Sequence, residues 1–308
     1  MLIRNNLPRI IFSSSLRWNN LNCVRLCSSS NRRDEFIESA DKQQQQQLKV
    51  DRLEEPKGLC ILSLNDEKKR NALSGNLVSL LEDNLANLHN DRTIRCLIVR
   101  SLVKNVFCAG ADLKERFKME INEVGPFVER LRNLTNSLAN LPYPTIAAIE
   151  GAAFGGGLEM ALACDLRVAS PRAKLGLVEA KLAIIPGAGG TQRLPRLIGL
   201  SKAKDLIFTG RKVNGKEAIS LGLIDYLAEE DDDEAAFKQS IKLAQEICNS
   251  GPLGVRWAKF AITKGIEVDL NAGMAFEKLA YAQVTPTKDR VEGMKSFIEK
   301  RSPTYKGE

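Results

Sequence analysis

From about residue 51 onward the chain switches between two hydrophobic periods. Segments 58–64, 94–101, 145–149, 166–170, 174–177 and 223–228 are short and largely apolar, as strands buried within a sheet are. Between them apolar residues recur every three or four positions. The clearest case runs from Ser74, a suitable N-cap, to His89, with Leu77, Leu80, Leu81, Leu85 and Leu88 on one stripe. A second helix is predicted over 124–141 and ends at Pro142 and Pro144, with others over 191–199 and 203–208. Beyond Asp233 strand signals stop, and 237–247, 255–266, 272–283 and 288–300 all carry helical periodicity. Strands alternating with helices predict an α/β core over 51–232. The helical segment 233–308 has no evident core of its own and is expected to pack on the parent domain or on a neighbouring subunit.

The first fifty residues belong to neither pattern. Residues 1–33 hold six Arg, two Ser triplets and no acid, the composition of an organelle import presequence and, on an animal-type reading, a mitochondrial one. Residues 34–50, with the run Gln43 to Gln47, read as a low-complexity linker. The formal charge of +7 resides largely in that presequence. Without residues 1–33 there are 39 basic against 38 acidic residues, so composition makes no case for nucleic acid. No stretch approaches the length of a membrane span, and a soluble mature protein is expected.

Chemistry must come from carboxylates. The seven Cys are scattered without a C-x-x-C pair and His89 is the single His, so zinc sites and Cys/His catalysis have little material, and no metal is expected. Glu159 and Glu179 each sit beside a glycine-rich turn: Gly155-Gly156-Gly157-Leu158-Glu159, and Glu179 followed by Pro186-Gly187-Ala188-Gly189-Gly190. A third small-residue loop, Ala109-Gly110-Ala111-Asp112, also follows an apolar strand. Such turns bring backbone N–H groups close to a ligand, and paired carboxylates move protons, a combination suited to a polarised carbonyl. Taken singly, Glu159 reads equally as a first-turn carboxylate and Glu179 as a solvated loop residue.

Together, Ala109-Gly110-Ala111-Asp112-Leu113-Lys114, Gly155 through Glu159, and Glu179 through Ile185-Pro186-Gly187-Ala188-Gly189-Gly190-Thr191-Gln192-Arg193 resemble the enoyl-CoA hydratase/isomerase (crotonase) superfamily, in order from about Gly58 to the C-terminus. Within it the likeness is nearest to the mitochondrial methylglutaconyl-CoA hydratase branch and its enoyl-CoA hydratase-domain relatives. The resemblance implies a crotonase-like ββα superhelix with a helical C-terminal oligomerisation segment. It also implies a homo-oligomer (trimers, or trimers paired into hexamers) in the mitochondrial matrix. It assigns an oxyanion hole to the amides of Ala111 and Gly156 and acid–base roles to Glu159 and Glu179. Arg70, Ala72, Leu113, Lys114, Gly155 and Gly187 would border the substrate, and Phe297, Lys300 and Lys306 would close the nucleotide site from an adjacent subunit. No permanently bound cofactor is implied, coenzyme A arriving as part of the acyl-CoA substrate.

Having both glutamates argues for water addition over double-bond shift. The resemblance implies hydration of 3-methylglutaconyl-CoA in leucine breakdown, with short-chain enoyl-CoA hydration in β-oxidation as the alternative. Some relatives resemble AU-rich RNA binders through lysines spaced along the first helix, but here those positions are Gly75, Ser79 and Asp83, which removes the phosphate-contacting charge. A non-enzymatic scaffold would have tolerated loss of either glutamate. Thioester hydrolysis and carbon–carbon cleavage need the same oxyanion hole.

Overall fold

A computed structural model describes residues 47–230 and 232–308. The presequence and all but the last residues of the linker therefore lie outside the described residues. Strand β1 (Leu48–Arg52) pairs antiparallel with β2 (Leu59–Leu64) and starts just ahead of the Asp51 boundary. The sheet continues in parallel through β3 (Cys96–Ser101), β5 (Thr145–Ile149), β7 (Leu166–Ala169) and β10 (Tyr226–Leu227). A smaller sheet holds β4 (Val106–Cys108), β6 (Ala152–Phe154) and β8 (Lys174–Gly176) in parallel, with β9 (Val213–Asn214) antiparallel at its edge.

The chain thus gives one strand to the large sheet and the next to the small one, and then returns through a helix. Strands β3 and β4 are followed by α2 (Leu113–Lys118) and α3 (Ile121–Ala139), and β5 and β6 by α4 (Gly156–Ala163). Strands β7 and β8 are followed by a 3₁₀ turn (Glu179–Leu182), α5 (Gly190–Ile198) and α6 (Leu200–Thr209), and β9 by α7 (Gly215–Leu221). This repeated ββα path is the expected superhelix. Helix α1 (Gly75–Asn90) joins β2 to β3, and the hydroxyl of Ser74 accepts from the amide of Leu77 as its cap.

Side chains alternate across the central strands β2, β3, β5 and β7, and both faces of these strands are covered. Cys60, Leu62, Leu97, Val99, Ala147 and Ile149 point into the main core with the stripes of α1 and α3. Leu59, Cys96, Ile98, Ile146, Ala148 and Val168 form a second core with Ala236, Leu243, Ala244 and Cys248 of α8 (Ala235–Cys248). Full burial of each such aliphatic side chain is worth about 1.5–3 kcal/mol, which is why these strands read as unbroken apolar runs. The first C-terminal helix is consequently part of the core, and the change near residue 233 is one of architecture inside a single compact unit.

The last three helices differ. Helices α9 (Pro252–Gly265), α10 (Leu270–Val284) and α11 (Lys288–Ile298) bury only Pro252, Ala280, Asp289 and Ser296 of their own residues. Helices α9 and α10 meet where Phe260 packs edge-on against both Trp257 and Phe276. Ile262, Ile266, Leu270, Tyr281, Phe297 and Ile298 remain open to solvent. Among the described residues no helix is long and apolar enough to cross a membrane.

Candidate active site

The turns that leave β4, β6 and β8 lie side by side, because those strands are parallel neighbours. They carry Ala111, Gly155 with Gly156, and Glu179. The three sequence motifs therefore converge at the carboxyl ends of the small sheet, where open parallel sheets bind ligands. They line one cavity of about 1330 Å³, together with Glu159, Leu113, Gly187 and Arg116.

The first turn is braced by the segment Arg70 to Leu73. The amide of Leu73 donates to the carbonyl of Gly110 at 2.8 Å, and that of Ala109 to the carbonyl of Arg70 at 3.1 Å. Buried Asn71 anchors this brace: its Oδ1 accepts from the amide of Asp66, and its Nδ2 donates to Ser101 Oγ and to the carbonyl of Phe107. The second turn needs glycine on two counts. Gly155 sits at φ +50°, and a Cβ there would stand 3.0 Å from Oε1 of Glu179. A Cβ at Gly156 would fall 2.9 Å from Leu73 Cδ1 and 3.8 Å from the Ala111 amide nitrogen. The Ala111 and Gly156 amides are thus near neighbours, and neither is used in the turn and cap hydrogen bonds around it.

Glu159 projects from the first turn of α4 and is almost fully buried. One oxygen, Oε1, accepts from the amides of Ala188 (2.8 Å) and Gly190 (2.7 Å). Burial raises its pKa, and those two amides work against the shift. The loop supplying them is itself held. The Ala188 carbonyl accepts from Thr135 Oγ1 at 2.7 Å and from Arg193 Nη1 at 3.0 Å. Glu179 opens the 3₁₀ turn, and its Oε2 is buried without a hydrogen-bond partner among the described residues. Burial pushes its carboxyl from 4.5 up to about 7; its own amide opposes the rise, and the charge of Glu159 adds to it. One carboxylate is thus seated on donors while the other favours its protonated form, the asymmetry an acid–base pair requires.

The remaining residues divide. Gly187 lines the cavity, and a Cβ on it would strike Val128 Cγ1 at 2.7 Å. Leu113 lines it with an exposed side chain. Arg70 instead lines a second cavity of about 1010 Å³, with Lys104, Lys174 and Lys212, because Arg70 and Asn71 form a left-handed pair pinned by the Asn71 side chain. Ala72 is buried and Lys114 exposed, and neither lines the main cavity. Phe297 and Lys300 also lie outside it, on and just after α11. The bracing roles of Asn71, Thr135, Arg193 and the Ala188 amide had no signal in the sequence, although Ala188 and Arg193 lie within the glycine-rich motif. Only the Pro186-to-Gly190 run marked that loop, and nothing in it indicated which carboxylate its amides would hold. Among the described residues no cluster of three or more His, Cys, Asp or Glu is placed to hold a metal.

The enoyl-CoA hydratase/isomerase family profile matches residues 54–308. The human mitochondrial methylglutaconyl-CoA hydratase is 53% identical over 272 residues, covering 88% of this chain and 80% of its own length. The human mitochondrial enoyl-CoA hydratase domain-containing protein 2 is 53% identical over 251 residues, or 81% and 86% of the two chains. Among solved structures, an enoyl-CoA hydratase from Bacillus anthracis superposes with a TM-score of 0.82 at 45% identity, over 85% of this chain and 100% of that one.

Proposed function

The chain belongs to the enoyl-CoA hydratase/isomerase family, and from that premise we propose that it hydrates a 2-enoyl-CoA thioester with Glu159 and Glu179 as the proton-transfer pair. It is an enzyme of the hydro-lyase type. The observation that carries the mechanism is the convergence on one cavity of two neighbouring amides outside the turn and cap hydrogen bonds and two carboxyl groups of unequal character.

The thioester carbonyl takes hydrogen bonds from the amides of Ala111 and Gly156, which strengthen as the oxygen gains enolate charge. Each such donor is worth about 10²–10³ in rate. Glu159, ionised on its two amides, accepts a proton from water as the oxygen bonds to C3. Glu179, protonated, delivers a proton to C2 as the enolate collapses. The product is the 3-hydroxyacyl-CoA, and the net proton change is zero once the two carboxyls re-equilibrate. Coenzyme A comes and goes with the substrate, and no resident cofactor takes part.

The substrate reading is 3-methylglutaconyl-CoA, supported by the identity to the human enzyme of that name; short-chain enoyl-CoA is the second reading, supported by the domain-containing relatives. The mitochondrial names of these relatives and the Arg-rich N-terminus support a matrix location. The exposed apolar residues of α9–α11 support assembly into trimers or paired trimers, in which Phe297 and Lys300 reach a neighbour's CoA. RNA binding through α1 finds no support: Gly75 and Ser79 are engaged within the protein and Asp83 is acidic. Turnover of crotonyl-CoA and 3-methylglutaconyl-CoA by purified protein lacking residues 1–33 tests the proposal. Absence of hydration with both would end it.

A further inference from the structure

Four arginines line the main cavity, and three are occupied. Arg132 pairs with Glu129. Arg193 donates to the Ala188 carbonyl, Thr135 Oγ1 and Asn136 Oδ1. Arg196 donates to the Gln192 carbonyl and faces Glu267. Arg116 differs. Its guanidinium stands 5.4 Å from the centre of the Phe127 ring, and it has no acidic or carbonyl partner among the described residues. It is half-buried, and burial lowers its pKa, the sign of a cation short of counter-charge.

Its place in the chain gives this free cation a use. Arg116 is the fourth residue of α2, five positions beyond Ala111 in the chain. That helix is fastened at its start. Asp112 caps it, and Lys69 bridges Asp112 (3.0 Å) and Glu115 (2.7 Å). Glu115 in turn accepts from the amide of Gly75 at 2.8 Å. The Ala111 amide and the Arg116 side chain therefore line one cavity from a single braced stretch of chain. Leu113, Phe117 and Val124 supply apolar lining to the same cavity.

We propose that Arg116 is a specificity-determining residue that binds a carboxylate at the far end of the acyl group, selecting acid-tailed enoyl-CoA esters over their uncharged counterparts. The inference rests on the hydratase reading above and gives its acid-tailed substrate a receptor. A planar guanidinium suits a carboxylate through paired N–H donors, and a ring at its back leaves its edge free.

The test compares 3-methylglutaconyl-CoA with 3-methylcrotonyl-CoA, which differ only by the tail carboxylate, in the wild type, Arg116→Met and Arg116→Lys. Because the tail does not change during reaction, its loss appears mainly in KM. In Arg116→Met the ratio of kcat/KM, acid-tailed over uncharged, falls about 10- to 100-fold, as for loss of a hydrogen bond to a charged group. Arg116→Lys, which keeps the charge but loses the fork, retains part of the preference. A ratio in Arg116→Met within twofold of wild type overturns the inference alone, as does an equal loss on both esters, which would assign Arg116 to the CoA portion. A wild type that hydrates the uncharged ester as well as the acid-tailed one overturns the inference and the substrate reading together, while leaving the hydratase reading standing.

Discussion

Gly155 and Glu179 share one space: a Cβ on the glycine would lie 3.0 Å from the carboxyl oxygen of the glutamate. The turn that presents the Gly156 amide is therefore also the wall behind the proton donor. Gly155→Ala meets this crowding and a φ of +50°, and is expected to cost about 1–3 kcal/mol in stability. Displacing Glu179 should lower kcat by at least about tenfold. Thermal unfolding and steady-state kinetics check both. Full activity would separate the glycine from the carboxyl.

Each of Glu159→Gln and Glu179→Gln should reduce kcat by about 10²–10⁴. Because the two act as a unit, the double variant should be little worse than the poorer single one. Binding of a saturated acyl-CoA, measured by calorimetry, should stay within a few-fold of wild type. Near-normal turnover in both single variants would sink the acid–base assignment.

The pH dependence follows from Glu179, whose carboxyl is raised to about 7. Hydration needs its protonated form, so kcat/KM falls as pH rises through about 7, and this limb disappears from the residual activity of Glu179→Gln. Stability has the same sign. The folded state retains a proton that the unfolded chain gives up above 4.5, so this contribution is complete below that pH and is lost as pH rises through about 7. The Tm of wild type should therefore decline more steeply than that of Glu179→Gln between those limits.

Asn71→Ala removes three buried hydrogen bonds beneath the Ala111 turn and leaves the Asp66 amide and the Phe107 carbonyl unpaired. The expected loss is about 3 kcal/mol. Denaturant unfolding measures it, and a loss under about 1 kcal/mol would show that the brace is dispensable.

Assembly is open to light scattering. Ile266 and Phe297 are 79% and 84% exposed in the single chain. A mass three or six times that of the chain is expected, and Ile266→Asp should shift it downward. A stable monomer at micromolar concentration would refute the assembly reading.

Several levels of this molecule were legible before folding was considered. The stripe of α1 and its Ser74 cap, and the apolar runs of β2, β3, β5 and β7, each follow from local periodicity, since burial on a helix or strand is written at fixed spacing. Strands β4, β6 and β9 were not legible: each is only two or three residues long and, unlike β8 and β10, none sits in a segment read as a strand. Yet β4 and β6 position the site. Glu159 and Glu179 stood out through their glycine turns.

What the chain alone determined was local: element types, the glycine-dependent turns, and the identity of the candidate carboxylates. Only the tertiary structure decided that Glu159 would receive the Ala188 and Gly190 amides, that one Glu179 oxygen would be left unpaired among the described residues, and that Arg116 would face the same cavity with no acidic or carbonyl partner among them. Those properties depend on desolvation and on contacts between segments distant along the chain. Neither has a local signature, because the parallel pairing of β4, β6 and β8 creates them.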